Sequence, residues 1–218
     1  MLPLPLNTRA DQPFRLLCLG AHCDDIEIGC GATILALTER YDNIEIYWQV
    51  FTSTPERKVE AEAGAKRFCE RASNLTCKVL DFRDGFLPYN GTSVKEAFEA
   101  IKPVFSPDLI LTHYRGDAHQ DHRLVGELTW NTFRNHQILE YEIPKWDGDI
   151  GNPNSYVEIT RDQAAKKIRL LQETYNSQQT KAWFTDDLFH GLMRLRGMEC
   201  NAEQQLAEAF FASKLKLV

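Results

Sequence analysis

A short apolar run that ends in a polar turn constrains the fold of this chain more than any other feature. Residues 14–20 read FRLLCLG, and residues 21–31 read AHCDDIEIGCG, which places one imidazole and two adjacent carboxylates within four positions. A buried strand that breaks into a polar turn and then a helix is how α/β proteins present chemical groups. We therefore expect His22 and Asp25 to hold a metal ion, with Asp24 acting on the water bound to it.

Strands and helices alternate along the rest of the chain. After the first strand, apolar, β-branched and aromatic runs predict further strands at residues 44–51, 76–82, 109–113 and 138–143. Helical patterns lie at residues 55–72, 93–105, 119–136 and 160–175. This alternation predicts an α/β fold, a Rossmann-like and mainly parallel sheet flanked by helices and joined by right-handed crossovers.

The two ends of the chain are expected to extend this scheme without adding a second domain. All 218 residues should form one domain, because that length suits a single core. Residues 1–13 contain three prolines and little periodicity, which predicts a surface arm. The tail beyond residue 175 is expected to be mainly helical, in two pieces around Gly197.

Charge and composition exclude some classes of partner. The formal net charge of -6 and the lack of a basic run argue against a nucleic-acid partner. No apolar stretch approaches the roughly 20 residues of a membrane span, and the N-terminus has no signal-peptide core, so we expect no membrane span and a cytoplasmic location. The six cysteines form no C-x-x-C pair and read as reduced thiols. Cys23 should point away from the flanking site residues, so it is not counted as a ligand.

A second polar turn follows the fourth predicted strand. Residues 114–122 read YRGDAHQDH, so a helix that begins here would place His119 and His122 on one face. One imidazole could bind a metal while the other contacts a ligand, and Asp121 could orient an imidazole from behind. Because the carboxyl ends of parallel strands share an edge, this turn should meet the first one.

Two imidazoles and one carboxylate with an open position are the ligand set of a hydrolytic zinc site. Each half of the site also has a simpler explanation when taken alone. The histidine pair could be a surface or core pair, and Asp24 and Asp25 could only cap a helix. The metal interpretation depends on the two turns converging.

Both turns resemble signatures of the LmbE/PIG-L-like de-N-acetylase family. AHCDD at residues 21–25, followed by GCGAT at 29–33, resembles the signature AHPDDE and its glycine-rich continuation. HQDH at residues 119–122 resembles the second signature, HPDH. Further similarity lies in R-x-x-E at 57–60, in DG at 84–85, and in the segments RG at 196–197 and AEAF at 207–210. Cys23 and Gln120 replace the usual prolines and Ile26 the usual acid, with Glu27 one position later, so no proposed ligand is lost.

The resemblance implies a zinc-dependent hydrolase that removes the acetyl group from an N-acetylated amino sugar or sugar conjugate. It implies one Zn²⁺ per chain and three protein ligands: His22, Asp25 and His122. Asp24 would take the proton of the attacking water. A protonated His119, oriented by Asp121, would stabilise the oxyanion together with the metal. The leaving amine would receive its proton from Asp24 or from His119.

The resemblance also indicates how the substrate is held. The implied partner is a small N-acetylated sugar, a nucleotide sugar or a glycoconjugate, and a homo-oligomer is compatible with it. The expected substrate contacts are Arg57, Asp84, Asp117 and Arg196, and a structural role is an equally good explanation of Asp117 and Arg196. An ion pair between Arg57 and Glu60 is an equally good explanation of that arginine. His113, at the end of a strand, fits a buried histidine with its hydrogen bonds made.

Other functions stay open at this point. A zinc esterase or phosphoesterase could use the same ligands, and the native ion could be another divalent metal. A non-catalytic glycan-binding or nucleotide-binding module is the alternative from another class. Residues 29–31 would then form a phosphate loop, but they lack the third glycine of G-x-G-x-x-G and begin late after the strand.

Overall fold

The computed structural model describes residue 6 and residues 12–216 of the chain. The surface arm predicted for residues 1–13 lies outside the described residues except at positions 6, 12 and 13. The strands are β1 Phe14–Gly20, β2 Ile44–Thr52, β3 Asn74–Phe82, β4 Leu109–His113, β5 Gln137–Tyr141, β6 Ser155–Glu158 and β7 Ala207–Phe211. The α-helices are α1 Asp25–Arg40, α2 Pro55–Phe68, α3 Gly91–Glu99, α4 Gln120–Thr132, α5 Arg161–Thr174 and α6 Asp186–Glu199.

The strands form one seven-stranded sheet in the order β3-β2-β1-β4-β5-β7-β6. Strands β1 to β5 run parallel, and β7 pairs antiparallel with both β5 and β6. The predicted α/β fold with a mainly parallel sheet is confirmed. The strand order reverses between β1 and β4, and the crevice beyond the carboxyl ends at such a point is where open α/β sheets bind ligands.

The central strands are buried on both faces, which explains their continuous apolar sequence. In β1, Leu16 and Cys18 belong to a core with the buried indole of Trp48 and with residues of α1 and α2. Leu17 and Leu19 point to the other face and belong to a second core with residues of α3 and α4. The two cores hold β1 rigidly, and the turn after β1 is therefore a firm base for a site.

Local sequence signals mark the residues at which several helices begin. Thr160 and Gln163 form the predicted capping box at the start of α5. Thr54 caps α2, whose first position is Pro55. In α4 the cap is His119, whose Nδ1 accepts from the Asp121 N–H. One of the predicted site residues is thus also the residue that begins a helix.

The prediction of a mainly helical tail is wrong for residues 207–211, which form β7. Alanine and glutamate favour a helix locally, but strand pairing with β5 and β6 overrides that preference. Strand β6 was also absent from the predicted elements. Helix α6 is one continuous helix that includes Gly197, and α3 ends at Glu99 instead of near residue 105. Of the helices in the described ranges, none is long and apolar enough to cross a bilayer.

Two glycines of α6 give a matched test of this packing. A Cβ on Gly197 would collide with the backbone of Gln205 and Leu206, whereas a Cβ on Gly191 would meet nothing within 4 Å. We expect Gly197→Ala to lower the free energy of unfolding by about 2–3 kcal/mol, because the backbone cannot yield easily. Gly191→Ala should raise it by about 0.5–1 kcal/mol through helix propensity. Urea denaturation measures both, and equal effects of the two substitutions would contradict the packing.

Candidate metal and active site

The turns after β1 and β4 meet at the switch point of the sheet. The Ala21 N–H donates to His113 Nε2 (2.9 Å), which ties the end of β1 to the end of β4. The carbonyl of Ala21 accepts from the backbone and side chain of Thr52 (2.9 and 2.8 Å). These contacts fix the backbone that leads into His22, and the predicted convergence of the two turns is confirmed.

The side chains of three predicted ligands lie close together, with Asp25 facing His22 through one oxygen and His122 through the other. His22 Nδ1 lies 3.1 Å from His122 Nε2 and 3.2 Å from Asp25 Oδ2. His122 Nε2 lies 3.4 Å from Asp25 Oδ1. Ligand atoms on a tetrahedral ion with bonds of about 2.1 Å are about 3.4 Å apart. All three side chains are buried, so the donor set and its spacing fit a four-coordinate metal ion.

The charges around this triangle favour a cation at its centre. Burial by itself would lower the pKa of His22, but the Asp25 carboxylate and the nearby carboxyl groups of Asp121 and Asp84 raise it well above its ordinary value. Burial also opposes protonation of His122, whose pKa Asp25 and Asp117 nevertheless raise. Burial would raise the pKa of Asp25, but the surrounding imidazoles hold it well below its usual range. A bound metal would supply the positive charge that protons otherwise supply.

Carboxylates stand behind both histidine ligands. His122 Nδ1 lies 3.0 Å from Asp117 Oδ2. His22 Nε2 lies 3.0 Å from Asp84 Oδ1 and 3.4 Å from Asp121 Oδ2, although neither contact has the direction of a full hydrogen bond. The interaction with His22 lowers the pKa of Asp84 to about 2. Such carboxylate partners orient metal-binding imidazoles and increase their basicity.

Asp24 lies beside the triangle and is held by an arginine. Its carboxylate is 3% exposed and accepts from Arg57 Nη2 (2.7 Å). Burial raises the pKa of Asp24, and the Arg57 guanidinium opposes that rise. Arg57 also donates to Asp84 Oδ2 (3.4 Å). The alternative pair with Glu60 does not form, because Glu60 accepts from the backbone (2.9 Å) and the hydroxyl of Ser177.

His119 faces the same space from the start of α4. Its ring lies edge-on to His22, with 4.9 Å between the centroids, and the imidazole nitrogens of His22, His119 and His122 approach within 4.8 Å of one another. Since Nδ1 accepts from the Asp121 N–H (3.2 Å), a neutral His119 carries its hydrogen on Nε2. Burial and the neighbouring imidazoles lower the pKa of His119, which favours this neutral donor form.

This geometry corrects the predicted part of Asp121. We predicted that its carboxylate orients His119, but that carboxylate accepts from the Gly85 and Leu87 N–H groups (2.7 and 3.1 Å). Only the backbone of Asp121 contacts His119. The carboxylate instead connects the loop after β3 to the region behind His22.

Two predicted substrate contacts lie against the protein instead. Asp117 is buried behind His122, as described above. The guanidinium of Arg196 is buried and donates to Glu142, Glu199 and the carbonyl of Gly151. The polar groups of both side chains are bound by other residues of the protein. Arg57 and Asp84 do lie beside the site, and their role toward substrate stays a prediction.

Cys23 and His113 complete the surroundings. The Cys23 thiol donates to the Thr52 carbonyl (3.3 Å), away from the ligand triangle, and burial raises its pKa to about 12. His113 is fully buried, stacks on His122 with 4.0 Å between the centroids, and lies 3.0 Å from Asp25 Oδ2. Burial lowers the pKa of His113 to about 4. His113 thus packs directly behind the predicted ligands Asp25 and His122.

Sequence reasoning missed one charged neighbour of the site. The ammonium group of Lys145, in the loop between β5 and β6, lies 3.0 Å from Asp117 Oδ2. No local motif marks this lysine, and the only sequence signal is its place in a polar loop after a strand of the sheet.

Both turns lie within the part of the chain that matches a known protein family. The model of the PIG-L family, described as GlcNAc-PI de-N-acetylase, matches residues 17–133, more than half of the chain. Diacetylchitobiose deacetylase of Thermococcus kodakarensis is 29% identical over 143 residues, which cover 56% of this chain and 52% of that protein. The chain therefore spans about half the length of this curated relative.

Solved structures share the fold. N,N'-diacetylchitobiose deacetylase from Pyrococcus horikoshii superposes with a TM-score of 0.65 at 20% identity, covering 95% of this chain and 88% of that one. A 4-carboxy-2-hydroxymuconate hydratase from Pseudomonas putida KT2440 gives a TM-score of 0.71 at 14% identity, covering 94% and 98%. Because a deacetylase and a hydratase share this fold, the fold alone does not determine the reaction. The family of this chain is instead determined by the match over residues 17–133: the chain belongs to the PIG-L family, described as GlcNAc-PI de-N-acetylase.

Proposed function

We propose that this protein is a zinc-dependent hydrolase that removes the acetyl group from an N-acetylated amino sugar or sugar conjugate. The observation that carries the proposal is the triangle of His22, Asp25 and His122, with the buried carboxylate of Asp24 near enough for His22 and Asp25 to shift its pKa. Membership of a de-N-acetylase family supports the choice of an amide as substrate.

One Zn²⁺ per chain would be held by the two imidazoles and one carboxylate of this triangle. Zinc bound in such a site acidifies a coordinated water and polarises a carbonyl group. Neutral imidazole and carboxylate donors suit zinc, and a buried position excludes competing solvent. The candidate ligand groups among the described residues overlap at His22 and His122, which supports a stoichiometry of one ion.

Asp24 would act as the general base. Its carboxylate removes a proton from water as the water oxygen forms a bond to the acetamide carbon. Arg57 holds one oxygen of Asp24, which leaves the other oxygen for the proton. The bond from carbon to nitrogen then breaks, and Asp24 passes the proton that it took from water to the nitrogen, which completes the free amine. His119 could supply this proton instead only from a protonated ring. The products are acetate and an amino sugar.

His119 would stabilise the charge that develops on the carbonyl oxygen. Its backbone-bonded Nδ1 leaves Nε2–H as a donor for that oxygen, without the need for a protonated ring. Arg57 and Asp84 would contact hydroxyl or charged groups of the sugar. Asp84 is more than half exposed, so one of its oxygens can reach a substrate hydroxyl.

The substrate class is proposed from the relatives and the polarity of the site. A small N-acetylated sugar, a nucleotide sugar or a glycoconjugate would bind beside Arg57 and Asp84. A cytoplasmic location agrees with the six free cysteines in the described residues. A single domain over residues 1–218 and assembly into a homo-oligomer remain predictions.

A substrate screen tests the proposal. Zinc-loaded protein should release acetate from at least one member of a panel of N-acetylglucosamine, diacetylchitobiose and nucleotide-linked N-acetyl sugars. The Asp24→Asn variant provides the background rate for each compound. Faster cleavage of O-acetyl esters or phosphoesters than of every amide would favour another zinc hydrolase. Release of no product from any compound would favour a binding module.

A further inference from the structure

The buried side chain of Arg196 joins the two ends of the loop over residues 142–151, which lies between β5 and β6. Arg196 donates to both carboxylate oxygens of Glu142 (2.7 Å each), at the start of the loop. The same guanidinium donates to the carbonyl of Gly151 (3.0 Å), at its end. Because one rigid group binds both ends, the loop has a defined path.

Lys145 connects this loop to the turn that supplies two site histidines. Its side chain is 8% exposed, and its ammonium group lies 3.0 Å from Asp117 Oδ2 and 2.7 and 2.6 Å from the two oxygens of Asp149. Asp149 in turn accepts from the Ala118 N–H (2.6 Å). The loop therefore holds residues 117–118 at two points, one ionic and one through the backbone.

Asp117 is the residue through which this contact reaches the metal site. One of its oxygens lies 3.0 Å from His122 Nδ1, and the other accepts from the His119 N–H (2.8 Å). Its carboxylate is 3% exposed, so it needs a compensating charge. Within the described ranges, Lys145 is the lysine or arginine that pairs with the Asp117 carboxylate, whereas Arg123 donates only to the Asp117 carbonyl.

We infer that Lys145 is a positioning residue for the metal site. It neutralises the buried Asp117 carboxylate and holds it where it orients the His122 imidazole and the backbone of His119. The inference rests on the proposed metal site, and it adds a residue that none of the sequence signatures contains. Loss of the ammonium would leave the buried Asp117 carboxylate uncompensated, and the carboxylate would turn away from His122.

Metal affinity tests this inference without relying on catalysis. We expect Lys145→Met to bind zinc 10- to 100-fold more weakly than the wild type, the usual cost of losing a partner behind a metal ligand. Lys145→Arg should restore the affinity to within a few-fold. Lys102→Met is the matched control, because Lys102 forms only an exposed pair with Glu99. Competition with a chelating dye gives the affinities, and the visible spectrum of the Co²⁺-substituted protein reports the ligand geometry.

A second pair of variants keeps the test decisive if Lys145→Met does not fold. In the Asp117→Asn background the carboxylate behind His122 is gone and Lys145 keeps only its pair with Asp149, which does not contact a histidine of the site. Adding Lys145→Met there should therefore leave zinc affinity unchanged within about threefold. A further tenfold loss in that background would show that Lys145 acts elsewhere and would overturn the inference.

The outcomes separate this inference from the proposed function. A wild-type protein that binds no zinc would overturn both. If the wild type binds zinc and releases acetate, while folded Lys145→Met keeps the wild-type affinity and cobalt spectrum, only the role of Lys145 is overturned. Weaker zinc binding in Lys145→Met and recovery in Lys145→Arg would support it.

Discussion

Replacing Asp24 with asparagine is expected to leave zinc binding intact and to reduce turnover by about 10²- to 10⁴-fold, the range that a general base contributes. Asparagine has the same shape, and its oxygen can still accept from Arg57 Nη2. It cannot take a proton from water. The variant should therefore fold normally and carry one zinc per chain while it loses catalysis.

Metal analysis and steady-state kinetics on the zinc-loaded protein measure this prediction. Asp42→Asn makes the same chemical change at an exposed position and should keep wild-type values for both quantities. An Asp24→Asn variant with wild-type turnover would remove Asp24 from the mechanism. A variant that also loses its zinc would instead show that Asp24 supports the metal.

The same substitution at Asp25 should have the opposite effect, because it should weaken metal binding and not remove the general base. We expect Asp25→Asn to weaken zinc binding by more than about 100-fold, because a neutral amide replaces an anionic ligand and the cost should exceed that of losing an outer partner. Activity at limiting zinc should fall with occupancy. Asp24→Asn and Asp25→Asn thus form a matched pair, in which one variant loses the base and the other loses the metal.

Metal removal checks this second prediction independently. Dialysis of the wild type against a chelator should abolish acetate release, and added zinc should restore it. Wild-type zinc affinity in Asp25→Asn would exclude Asp25 as a ligand. Full activity of metal-free wild type would exclude a metal-dependent reaction.

The fold could be predicted where local periodicity and topology agree. Alternating strands and helices indicated a parallel sheet, and a parallel sheet brings the carboxyl ends of β1 and β4 to one edge. The prediction failed at β7, where residues 207–211 favour a helix locally. Their strand state depends on pairing with β5 and β6, which are distant in the sequence.

Arg57 and Asp121 show the same division within the site. Both residues lie in or near a sequence signature, which makes them candidates for the site. The residues to which they form hydrogen bonds cannot be predicted from the sequence. Arg57 pairs with Asp24 across 33 positions of sequence, and the Asp121 carboxylate binds the loop after β3, 34 to 36 positions away. Hydrogen bonds of this kind depend on the path of two loops, which no pattern in either segment records.

The sequence by itself determined the chemical groups of this protein: two short signatures hold the proposed ligands and base, and strand topology places them together. Only the tertiary structure decided which charges stand behind those groups. It assigned Asp117 to His122, Arg196 to the ends of the loop over residues 142–151, and Lys145 to Asp117. The physical reason is that a buried charge must find its partner in space, whereas sequence periodicity reports only which side of an element is buried.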